Sequence, residues 1–150
     1  MRGLTHAVAL TCIVVMGCGD STGPDDGGPV LPSIGGVWRF SDGINAHGYA
    51  SCTSAGVITI AQTGAQFRGT VVAAIGACAL YDGTVIVNSG SLEVTGGQIT
   101  GDRVTFAAPF CRYSGTISGS PPNRISGVET CSLSIGGQTR QFGGPWQASR

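Results

Sequence analysis

The chain contains no lysine. That absence closes several chemistries at once, because a Walker-type phosphate loop, a Schiff-base enzyme and a Ser-x-x-Lys hydrolase all need the amine. Eight arginines are matched by eight acids, so there is no net field to draw in nucleic acid or an anionic membrane. From Ile34 onward seven arginines face five acids, and the balance stays near neutral. Aromatic residues are only 7% of the chain and form no ladder on which bases would stack. No C-x-x-C spacing occurs, which argues against a zinc site, and nothing else points to a metal or cofactor. Helix-forming patterns are missing too. In their place stand 26 glycines with abundant Thr, Val, Ile and Ser, a mixture that favours short strands joined by tight turns. With 150 residues there is room for one domain.

The amino terminus reads as an export signal. Arg2 supplies a short positive start, and Leu4 to Met16 is apolar except for Thr5, His6, Thr11 and Cys12, too short to span a bilayer comfortably. It closes with Val15-Met16-Gly17-Cys18, which resembles the lipobox of bacterial lipoproteins: a branched apolar residue, a tolerant position, a small residue, then cysteine. The resemblance implies cleavage after residue 17, lipid on Cys18 and anchoring in the bacterial cell envelope. An ordinary secretory signal, and hence a secreted protein, is the alternative. Residues 18–33 then form a linker dense in Gly, Pro, Asp and Ser. Within it, Gly19-Asp20-Ser21-Thr22-Gly23 matches G-x-S-x-G but lacks the flanking strand and helix of a nucleophile elbow. The domain proper is expected over 34–150.

Four cysteines remain inside that domain, and an even number in an exported chain reads as disulfides. Strand patterning selects the pairing. Around Pro121-Pro122, folding the flanking alternation sets Ile117 against Ile125, Gly115 against Gly127, Tyr113 against Glu129 and Cys111 against Cys131. Opposed cysteines can bridge, and closing this loop contributes about 3 kcal/mol on the chain-entropy model. Cys52 is then left for Cys78. Three other hairpins follow from the same operation: one setting Ile60 against Phe67, one turning at Asn88-Ser89-Gly90-Ser91, and one setting Ile99 against Val104. Measured from the first of these, Cys52 and Cys78 miss register by about three residues, which demands a bulge or loop. An all-β, up-and-down antiparallel meander is expected, closing into a barrel of about eight to ten strands. A β-sandwich is the alternative.

The only tryptophans lie at the two ends of the domain, in Gly36-Val37-Trp38 and Pro145-Trp146. The Gly-x-Trp at the start resembles the opening of lipocalin and avidin barrels. By that resemblance, Arg140 or Arg150 would pack over Trp38. The chain carries no second lipocalin motif and few of the aromatics that line an avidin pocket, so the resemblance bears on architecture and leaves the ligand open.

Candidate functional residues are few. Parity puts Glu129 on the apolar face, where a carboxyl needs a partner or a shifted pKa. Tyr113 opposite it, and Arg140 on the next strand, would complete a polar floor for a ligand cavity, with Trp38 nearby; a satisfied internal network is the plainer reading. His47 sits in a loop with Asp42 and Ser51, and a lone loop histidine is usually solvated. The expectation is a non-catalytic, lipid-anchored envelope module binding a small apolar ligand or a partner protein. The alternatives are a structural or inhibitory domain working through its outer surface, and an enzyme using His47 or Glu129.

Overall fold

The structure, a computed structural model, describes residues 30–46, 48–135 and 138–150. The expected signal peptide, Cys18, most of the linker, His47 and the Gly136-Gly137 turn therefore lie outside the described residues. Eight strands follow in chain order: β1 (Gly36–Ala46), β2 (Ala50–Thr63), β3 (Gln66–Leu80), β4 (Val85–Thr100), β5 (Arg103–Ala108), β6 (Cys111–Ser118), β7 (Arg124–Ile135) and β8 (Gln138–Ser149). Each pairs antiparallel with the next, and β8 returns to pair with β1. The sheet is a closed barrel, which settles the choice against a sandwich and sets the strand number at eight.

Alternation decides which face points in. Along β5, Val104, Phe106 and Ala108 are buried while Arg103 and Thr105 are exposed; β6 buries Tyr113 and Ile117 between exposed Arg112, Ser114 and Thr116. An apolar interior under a polar exterior is the reverse of the pattern in membrane-spanning barrels.

The β6–β7 hairpin has the expected register throughout, and Cys111 is bonded to Cys131. The β4–β5 turn likewise sets Ile99 against Val104. The β2–β3 hairpin differs. Its turn is the two-residue Gly64-Ala65, so Gln62 faces Phe67 and Ile58 faces Val71, two residues from the expected register. An even shift leaves the same side chains inside. One bulge, between Ala55 and Gly56, then brings Cys52 opposite Cys78, and the two are bonded. Gly56 has no alternative there, since a Cβ would lie 2.0 Å from the Val72 carbonyl oxygen.

The turn expected at Asn88-Ser89-Gly90-Ser91 does not form. Those residues lie within the single long strand β4, which pairs with β3 from Ala79–Val85 to Gln66–Gln98. The reversal falls instead at Tyr81-Asp82-Gly83-Thr84, where the Asp82 carboxylate accepts the Thr84 amide at 2.9 Å. The chain follows the turn that allows β4 to stay paired along nearly the whole of β3. In consequence Val85 and Val87 are exposed and pair with Ala79 and Ala77, where a turn at residues 88–91 would have set them against Val94 and Leu92.

The closed half of the interior is filled by an aromatic cluster. Phe106 stacks on Tyr113 at 4.5 Å, and Trp146 meets Phe106 edge-on at 5.2 Å. Trp146 has room because Gly115 lies beneath it, where a Cβ would come within 2.8 Å of the indole. Both indole N–H groups are satisfied, Trp38 by the Ile34 carbonyl and Trp146 by that of Ser114. The chain enters at this end. Ile34 is fully buried, Leu31 packs against the core, and Gln62 donates to the Pro32 carbonyl, so residues 31–33 of the expected linker lie on the barrel.

Arg150 locks this entry. Its guanidinium sits 4.3 Å over the Trp38 ring and donates to the carbonyls of Ser33, Gly35 and Pro122 at 2.9–3.0 Å. Of the two arginines considered for Trp38, Arg150 makes the contact. Arg150→Ala removes all four interactions, and we expect a loss of about 1–2 kcal/mol. A thermal melt lowered by several degrees would record it, and an unchanged melt would show the clasp to be energetically idle.

Candidate functional site

At the opposite end from the chain entry, the interior is hollow. A cavity of about 630 Å³ opens between the ends of the strands, lined by Ile44, Ala50, Leu80, Ile86 and Phe142 among others. Ala46, Ala50 and Phe142 form a small buried cluster there, separate from the main core. The sequence places apolar residues here for the reason it does below, inward parity, but their side chains are too small or too few to fill the tube. Both disulfides stand in the cavity wall, and they tie β2 to β3 and β6 to β7 beside the smaller cluster and at the edge of the main core.

The mouth is apolar as well. Tyr81 is 68% exposed and Phe110 70%, and both line the opening. Phe110 holds a φ of 73°, an unusual conformation for a bulky residue. Such strain persists where surrounding structure enforces it. Here the Phe110 carbonyl is held by the Ser132 amide at 2.8 Å.

One ladder step below the cavity lies a polar layer. Glu129 is 1% exposed and faces Tyr113 on β6 and Gly144 on β8. Its Oε1 is buried without a hydrogen-bond partner. Cys131 Sγ lies 3.9 Å from Oε2, but a disulfide sulfur has no proton to donate. Burial pushes the Glu129 carboxyl up to about 7, with the nearby Asp42 charge adding to the rise and the Tyr113 hydroxyl drawing it back. Burial, and then Glu129, in turn raise the Tyr113 phenol. Asp42, on β1, accepts from the Ser54 amide at 3.0 Å and from the Ser54 hydroxyl; burial still raises it, and these bonds restrain the rise. Asp42 and Glu129 thus share one layer with no arginine between them.

Of the four side chains named from sequence, the fold joins Tyr113 and Glu129. Arg140 lies elsewhere, 4.3 Å over the Tyr49 ring and bonded to Gln138, and it is not among the groups acting on Glu129. Trp38 belongs to the closed half. Sequence reading weighed Asp42 only as a partner for His47 and missed it here, although its even number continues the inward series of Trp38 and Phe40. The sulfurs of Cys111 and Cys131 and the Glu129 carboxyl cluster within 4.8 Å, as metal ligands would. Both sulfurs are consumed by the disulfide, so this trio offers an ion only the carboxyl.

No protein-family model matches the chain, and comparison with curated proteins finds no match either. What the site can do is therefore argued from its own geometry.

The polar layer makes stability depend on pH in a definite direction. Glu129 holds its proton more tightly folded than unfolded, so its contribution is full below its ordinary carboxylate range and is lost as pH rises through about 7. Asp42 acts in the same sense. Denaturant titrations from about pH 5 to about pH 8 should show stability falling by roughly 2 kcal/mol. Glu129→Gln should flatten most of that slope and be the more stable protein at the alkaline end; a slope unchanged in the variant would assign it elsewhere.

Proposed function

We propose that this chain is a non-catalytic, lipid-anchored module of the bacterial cell envelope that holds a small apolar ligand in the open end of its barrel. The cavity carries this reading: about 630 Å³ of apolar-walled space lies within the range of small-molecule sites. Burying aliphatic surface against those walls would supply about 25 cal/mol for each Å² removed from water. Two cross-links in the wall hold the cup open without a ligand, so little ordering opposes binding.

Anchoring is supported by the lipobox-like Val15-Met16-Gly17-Cys18 and by the polarity of the fold. The described chain enters beside Arg150, at the closed end, whereas the cup opens beyond Ala46 and Ala50. A lipid on Cys18 would therefore reach the barrel from its closed end, leaving the mouth unobstructed. A second reading, a partner protein docking on the mouth, draws on the exposed Tyr81 and Phe110. An enzyme centred on Glu129 has less support, since among the described residues the groups acting on that carboxyl are the Tyr113 hydroxyl and Asp42, with no histidine or cysteine nucleophile beside it.

Two measurements test the proposal. An environment-sensitive apolar dye should bind the full chain with one site per molecule, and Ala50→Trp, which puts an indole into the cup, should weaken binding at least about tenfold. Dye affinity indifferent to that substitution would place the site elsewhere. Cells expressing the full chain should incorporate labelled palmitate, and Cys18→Ser should abolish the label; a label that survived would refute the anchor at Cys18.

A further inference from the structure

We infer that the occupant of the cup is an apolar amine, its ammonium head paired with Glu129 beneath the Cys111–Cys131 wall. The inference rests on the reading of the cup as a ligand site and goes on to assign the ligand's charge.

Three observations converge on it. First, among the described residues the interior holds acids and no base. Glu129 and Asp42 point inward, while every arginine of the barrel is exposed or, for Arg140, at the rim over Tyr49. Second, Oε1 of Glu129 is fully buried and unpartnered, a costly arrangement for a carboxyl whose only task is to fill space. An apolar side chain would fill that layer without the desolvation penalty. Third, the carboxyl lies directly behind the cavity wall, although it does not itself line the cup. Cys131 lines the cup, and its sulfur is 3.9 Å from Glu129 Oε2; Ile44, another lining residue, stands across Gly144 from Glu129.

An ammonium supplies what this layer lacks. It has three donors for a carboxyl that has at most the Tyr113 hydroxyl, and it neutralises the repulsion between Glu129 and Asp42. In so dry a setting, pairing is far stronger than in water. The same two acids exclude the commonest apolar envelope ligands, fatty acids, whose carboxylate would add a third negative charge. The apolar cup thus gives affinity and the acidic layer gives selectivity. Ionisation of Glu129 near neutral pH makes the selectivity stronger on the alkaline side.

Calorimetric titration of the full chain in mild detergent with decylamine, decanol and decanoate tests this, because the three probes share one chain and differ in the head. At about pH 8 decylamine should bind at least about tenfold more tightly than decanoate, with decanol between them. The amine's advantage over decanol should shrink at about pH 5, where Glu129 is protonated. Glu129→Gln should retain decanol and bring decylamine down to it. If that variant loses decanol as well, Asp42→Asn should still lower the amine preference, and the pH trend in the unmodified chain stands as an independent readout. Equal affinity for all three probes, or a preference for decanoate, overturns the inference while leaving the cup as a site for neutral ligands. Failure of all three to bind, decanol included, removes the cup itself.

Discussion

The pairing of β8 with β1 is the constraint on which the rest of this molecule depends. A meander of eight strands left open would expose two edges and one long apolar face. Closure turns that face into an interior and makes inward parity a statement about volume as well as polarity. Near the seam Trp146 and Trp38 fill the tube, and the clasp of Arg150 over Trp38 ties the last residue to the chain entry. Toward the other end the inward residues become Ala46, Ala50 and half-cystines, and the same closure leaves a hollow.

The two halves meet at a layer that obeys electrostatics more than packing. Glu129 and Asp42 stand where the solid core ends, and each is raised by the burial that the aromatic cluster imposes. A pair of acids at that depth destabilises the barrel at alkaline pH, and on the proposed reading the same pair would receive a positive or donating group from the cavity side. If the proposed ligand binds there, stability and recognition are opposite faces of one desolvated carboxyl. The disulfides belong to the same logic. They brace the walls of the cavity, and Cys131 links that bracing to the carboxyl below it.

Legibility in the sequence varied with how local the deciding physics was. Around Pro121 a sharp turn sits between two long alternating stretches, so register, disulfide and the facing of Tyr113 to Glu129 all followed from counting. Around Asn88 the residues look equally turn-like, yet a long partner strand overrode them, and only pairing along β3 could decide that. The bulge at Gly56 shows an intermediate case: the mismatch between the cysteines and the hairpin announced an extra residue, but its place depends on how closely Val72 approaches. Asp42 went unrecognised as Glu129's neighbour because β1 and β7 are far apart in the chain and meet through β8.

By itself the sequence determined the strand class, the inward parity, the Cys111–Cys131 pairing and the burial of a carboxyl, because each of these is set by alternation and turn chemistry within a hairpin; Cys52–Cys78 then followed by elimination. Tertiary structure alone decided the strand count, the long β4, the separation of Arg140 from Glu129, and the division of the interior into a filled half and an empty one. Those depend on how eight strands stagger around a common axis, a relation that no local stretch of the chain encodes.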